Sequence, residues 1–168
     1  MDDWMKILLG GLVGALIAAI FTIVVDIWRE RLRLRMELML DILAWVAEMT
    51  RSLNRMQVEL AEAFRAKSWT ATLPEASRFF TDRVPAPELT NRSRLLYGED
   101  CELPDLINSL GDCGVQISLF LSQADGASWP SAEQRYDPLM TDEFSPRSRR
   151  LLDAARTLAA PPWWLLRL

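Results

Sequence analysis

The side chains with the types best suited to chemistry are Cys101 and Cys113, twelve residues apart, and the acids Glu99, Asp100, Glu102 and Asp105 around the first of them in GEDCELPD. A thiolate is a nucleophile and a metal ligand, and clustered carboxylates can hold a divalent cation or share acid–base work. Each chemistry needs a partner that is missing. The chain has no histidine, so neither a cysteine nor a serine has an imidazole base, and no histidine-ligated metal site can form. The cysteines lack the paired spacing of zinc sites and read instead as small buried hydrophobes. The acidic cluster lacks the one-three-five spacing and the glycine of a calcium loop. Between Leu95 and Gln134 there are seven acids and no Lys or Arg. The preferred reading puts these acids near the start of a helix whose dipole favours negative charge; a docking face for a basic partner is the alternative.

No glycine-rich phosphate loop or dinucleotide fingerprint is present. A net charge of −4 argues against a nucleic-acid partner. No enzyme activity, cofactor or metal is therefore expected, and lipid is the first partner to weigh.

Ile7 to Val25 is a run of nineteen residues without a charged side chain. At about 1.5 Å rise per residue such a helix matches the roughly 30 Å hydrocarbon core of a bilayer. Trp4 and Trp28 flank it, and indole rings favour the two interfaces. The leader MDDWMK carries two aspartates and one lysine, whereas Arg29, Arg31, Arg33 and Arg35 follow the run. Basic flanks stay on the cytoplasmic side. The sequence therefore predicts a single-pass plasma (inner) membrane protein, amino terminus out, with its carboxy-terminal domain in the cytoplasm. The cysteines should stay reduced there.

Gly and Pro are both absent between Gly14 and Pro74, so the membrane helix should run on as one rod. Leu32, Met36, Met39, Leu43, Val46, Thr50, Leu53, Gln57, Leu60 and Phe64 recur at steps of four and three, a heptad seam. Ile42, Trp45, Met49 and Met56 widen the stripe to a width that suits a helical bundle. Glu48, Arg51, Arg55, Glu59, Glu62 and Arg65 form the solvated face. Beyond this rod, Thr72 and Glu75 resemble a capping box for a short helix ending near Arg83. Another turn or two ends at Gly98, and a third helix opens near Pro104 with Leu106, Ile107, Leu110, Ile117, Phe120 and Leu121 inward. Gly111 and Gly114 weaken that helix or admit a close neighbour. GASWPSAEQRYDP reads as loop. Ser145-Pro146 reads as the cap and first position of a last helix reaching about Ala159.

The predicted class is all-α: a transmembrane helix continuous with a long cytoplasmic helix, plus a small helical bundle. The predicted divisions are a leader over 1–6, the membrane helix over 7–28, a juxtamembrane amphipathic helix over 29–67, a helical domain over 68–160 and a Trp-rich tail over 161–168. Within the membrane, Gly10, Gly14 and Ala18 form one small-residue stripe and Gly11, Ala15 and Ala19 another, which favours helix pairing. Together with the seam they predict a homo-oligomer. The tail PPWWLLRL, with Trp163 and Trp164 in an arginine-rich stretch, suits an anionic leaflet or folds back to cap the bundle. The function expected is a membrane-tethered helical adaptor or scaffold that pairs with itself or recruits a cytoplasmic protein. A membrane-perturbing effector is the alternative.

Overall fold

A computed structural model of the chain describes residues 3–67, 78–84 and 86–160. Among the described residues every regular element is helical. The first, α1, runs without interruption from Asp3–Arg65, about 95 Å at 1.5 Å per residue. No Gly or Pro follows Gly14 within it, so nothing removes a hydrogen bond or loosens the backbone. It ends where Lys67 turns to φ 52°, its amide hydrogen-bonded to Phe64 O at 3.1 Å.

Five shorter helices gather on the carboxy-terminal half of α1. They are α2 (Arg78–Asp82), α3 (Pro87–Tyr97), α4 (Leu103–Ser122), α5 (Trp129–Pro138) and α6 (Ser145–Ala159), the last two joined by a π-helical turn over Leu139–Phe144. Gly98, at φ 92° and ψ 170°, stops α3 in a conformation open only to glycine. Pro87, Pro104, Pro130 and Pro146 each sit in a helix's first turn, where their missing N–H costs nothing. Thr72 and Glu75, the expected capping box, lie outside the described residues.

The core runs along one face of α1: Leu38, Ile42, Trp45, Met49, Leu53, Met56 and Leu60 are all buried. Burying side chains of this size contributes about 1.5–3 kcal/mol each against the entropy of ordering the chain. The heptad seam read from the sequence is displaced from this face. Val46, Leu53 and Leu60 are buried, but Met36, Leu43 and Phe64 are exposed. The residues that seemed only to widen the seam, Ile42, Trp45, Met49 and Met56, are its centre. Two apolar stripes on one helix overlap in a linear text, and the larger, denser one faces the bundle.

On α4, Ile107, Leu110, Ile117 and Leu121 point inward. Gly114 lets α4 close on α1, since a Cβ there would stand 2.5 Å from Met49 Sδ. At Gly111 there is more room: an added Cβ would meet Val84 Cγ1 at 3.3 Å and the Trp45 ring at 3.8 Å. Trp45 Nε1 donates to Arg83 O at 3.3 Å. Buried Ser93 donates to Thr90 O at 2.7 Å, and Ser118 Oγ reaches Met56 Sδ at 3.5 Å. Among the described residues no buried side-chain N or O lacks a partner.

GASWPSAEQRYDP is mostly helix rather than loop. Asp125 Oδ1 accepts from the amides of Ala127 and Ser128, and the Ser128 hydroxyl, followed by these amides, lowers the carboxyl's pKa. Pro130 then opens α5, and Trp129, Ala132 and Tyr136, at helical spacing, bury one face. Nor does Ser145 cap a separate helix. Its hydroxyl donates to Met140 O at 2.7 Å, and the π turn delivers α5 straight into α6. The Ser145 amide bonds to Met140 O, five residues back, and Pro146 has no N–H with which to restore the α register beside it.

Candidate membrane and pairing surface

The half of α1 before the bundle is long and apolar enough to cross a membrane. Residues 11–24 are exposed throughout. The one hydroxyl in this stretch is satisfied inside the helix, Thr22 Oγ1 donating to Ala18 O at 2.9 Å. Trp4 is exposed and Trp28 half-buried. Gly10 and Gly14 lie in α1, and Gly11, Gly14, Ala15, Ala18 and Ala19 are exposed. A Cβ added at Gly11 or Gly14 would meet nothing within 4 Å, so neither glycine serves the packing of the chain itself. Trp163 and Trp164 lie outside the described residues.

The four arginines after the apolar run have different duties. Arg33 Nε donates to Glu37 Oε1 at 2.9 Å, with Glu30 3.8 Å away. That hydrogen bond, with the two carboxylates, raises its guanidinium pKa further. Arg35 lies over the Tyr97 ring, 5.1 Å from its centroid, a contact of about 0.5–1 kcal/mol at a partly exposed site. It ties the end of α3 to α1. Burial pushes the Tyr97 phenol up, and Arg35 partly offsets this. Arg29 and Arg31 are exposed and have no ion-pair partner among the described residues.

A second face of α1 is also uncovered. Met36, Leu40 and Leu43 are 41%, 54% and 48% exposed, and Ala47 is exposed below them. At 3.6 residues per turn they fall within about 40° of one line, the line that also carries Gly11, Gly14 and Ala18. The face meets α5 at Asn54, whose Oδ1 accepts from Tyr136 Oη at 2.8 Å; one turn on, Val58 is 49% exposed. Charged pairs occupy the flank next to it: Glu37 with Arg33, Glu48 with Arg51, and Arg55 with Glu59 at 2.9 Å. Arg29 also falls on the line, at the level where the apolar run has ended.

The reactive side chains are not assembled into a site. Cys113 is buried beside Arg147, whose guanidinium lies 3.6 Å from Sγ; burial pushes the thiol up, and Arg147 pulls it partly back. Cys101 is half-buried on the loop before α4. Glu99 and Asp100 are exposed, Glu99 3.6 Å from Arg94, and Asp105 lies in the first turn of α4. No group of three potential metal ligands comes together among the described residues. An open groove of about 860 Å³ lies between α1, α2 and α3, floored by Trp45 and rimmed by Asp41, Glu48, Asp82, Arg83 and Arg92.

The apolar run, the small residues and the arginines are legible in the sequence. Leu40 falls outside the heptad seam, although its spacing from Met36 and Leu43 carries the signal. Compared with protein families, curated proteins and solved structures, the chain matches none.

Proposed function

We propose that this chain is a membrane-tethered helical adaptor. On this reading α1 crosses the plasma membrane once, amino terminus outward, and holds the bundle on the cytoplasmic side. Two copies pair in parallel along α1, and the bundle offers the charged groove beside Trp45 to a cytoplasmic protein. The observation that carries the reading is the exposed face of Met36, Leu40 and Leu43 on the same unbroken helix as the apolar run. A soluble helix with such a face would turn it inward. Here the bundle leaves it open, and its line leads into small residues that let backbones approach closely in lipid. Anything covering both stretches must itself continue from lipid into water alongside α1, as a second α1 does. Arg29 sits at the headgroup level, where phosphate groups can hold both copies of it.

The test is site-directed crosslinking in native membranes. A cysteine replacing Leu40 should give a dimer band with a short bifunctional maleimide, and one replacing Glu48 on the charged flank, about 80° around the helix from Leu40, should not, in a background with Cys101 and Cys113 changed to Ser. Equal crosslinking from both positions, or none from either, would refute pairing through this face. A reporter fused after residue 168 should be active only on the cytoplasmic side; activity on the other side refutes the orientation.

A further inference from the structure

Asp26 closes the apolar run of α1, two residues before Trp28. It is the first carboxylate after nineteen uncharged residues, on the lipid side of the indole that marks the interface. A carboxylate at that depth needs a cation. Headgroup phosphates can hold Arg29, but they repel an acid. The chain itself supplies no cation. Asp26 and Arg29 are exposed and, though three residues apart on one helix, make no ion pair with each other or with any other described residue. Glu30, one turn on, adds a second negative charge, and Arg33 is held by Glu37 at 2.9 Å.

Both residues also belong to the uncovered face. Asp26, Arg29, Arg33, Met36, Leu40, Leu43 and Ala47 follow one another at alternating steps of three and four, and all seven are exposed. This is a heptad seam distinct from the stripe that the bundle buries. When two helices wind about each other, residues seven apart stack along the contact: Asp26 with Arg33, Leu40 and Ala47, and Arg29 with Met36 and Leu43. Asp26 and Arg29 then occupy neighbouring layers, about 4.5 Å apart along the axis. In a parallel pair each layer faces its own copy, so Asp26 meets Asp26 and Arg29 meets Arg29. Those like charges are relieved across layers, Asp26 of one copy with Arg29 of the other, twice by symmetry. Side chains lean toward the amino terminus of their helix, which carries the long Arg29 guanidinium back to the level of the Asp26 carboxylate.

We propose that reciprocal Asp26–Arg29 ion pairs between two copies of the chain lock the register of their α1 helices where these leave the lipid. The proposal rests on the reading of α1 as a paired membrane span. It makes Asp26 the residue that selects a second copy of this chain over other membrane helices. An apolar face by itself tolerates a slip along the axis, whereas a charge pair of fixed spacing admits one register. Arg29 keeps donors for a phosphate as well.

Two full-length chains with different epitope tags, each with Leu40→Cys in the background lacking Cys101 and Cys113, are expressed together in equal amounts and crosslinked in native membranes. One carries Asp26→Arg and the other Arg29→Asp. Both positions are exposed in the single chain, so neither change touches the bundle, and Arg31, Arg33 and Arg35 still hold the orientation. Each homodimer gathers four like charges at the seam, and the mixed dimer has only opposite ones. The mixed dimer should therefore exceed the two homodimers together by about fivefold. Glu30→Arg with Arg31→Asp, the same changes of net charge off the seam, should give mixed and like dimers equally. Equal amounts from the seam variants, with the Leu40 crosslink intact, overturn the charge lock and leave the pairing face standing. The same enrichment from the off-seam pair also overturns it, since net charge alone then suffices. No Leu40 crosslink when Asp26 and Arg29 are unchanged overturns the pairing itself.

Discussion

Replacing Gly114 by Ala probes the closest approach between the two longest helices. Alanine is the better helix former by about 0.5–1 kcal/mol in a helix interior, so propensity alone predicts a gain. The new Cβ, however, would stand 2.5 Å from Met49 Sδ and 3.3 Å from both Met49 Cγ and Phe80 Cε1. Met49 is fully buried, so its thioether has no solvent to move into. Overpacking of this kind costs about 1–3 kcal/mol. The same substitution at Gly111 isolates the effect: its Cβ meets Val84 Cγ1 at 3.3 Å and Trp45 at 3.8 Å, contacts that yield by tenths of an ångström. Gly114→Ala should therefore be less stable than Gly111→Ala by about 1–2 kcal/mol, or several degrees in Tm for a domain of this size. The assay is thermal unfolding in nanodiscs, followed by near-ultraviolet circular dichroism, which reports packed aromatics and ignores the persistent helix of the apolar run. A double-mutant cycle with Met49→Ala completes the test. That change alone costs about 2–5 kcal/mol; combined with Gly114→Ala it should cost less than the sum by about 1 kcal/mol or more, because the added methyl occupies vacated space. Equal stability of the two glycine variants, or strict additivity in the cycle, would refute the close approach.

Burial pushes the Tyr136 phenol well above its ordinary value near 10, so the fold holds the proton more tightly than the unfolded chain does. This contribution is complete below about pH 10 and is lost as the pH rises above it, while only the unfolded phenol ionises. Tyr136→Phe should cost about 0.5–1.5 kcal/mol at pH 7, from the lost bond to Asn54, and should flatten the alkaline fall in urea titrations; an unchanged alkaline slope would count against the burial. With Cys113 buried, its thiol pushed up, and Cys101 half-buried, iodoacetamide should label Cys101 first in the folded protein and both equally in denaturant. Faster labelling of Cys113 would contradict its packing against Arg147.

Much of the architecture was legible in the residues. The charge-free run and the absence of Gly and Pro after Gly14 predict one continuous rod, and the observed α1 has that extent. Of the inward positions expected on α4 from spacing, Ile107, Leu110, Ile117 and Leu121 are buried, whereas Leu106 and Phe120 are only partly so. The loop reading of GASWPSAEQRYDP failed because its polar residues and two prolines outweighed the three-residue step from Trp129 to Ala132 and the four-residue step to Tyr136. The first proline is harmless at a helix start, and a π turn follows the second.

What the sequence by itself determined is the rod and its apolar end, because helix continuity and hydrophobic length are local properties of consecutive residues. Which of the rod's apolar stripes is buried was decided only in three dimensions. Met49 is covered because Gly114 lets α4 come close, and Leu40 is left exposed by the helices that gather on α1. The seating of α5 on α1 depends on a contact between residues as far apart as 54 and 136. Periodicity along the chain holds no record of such distances.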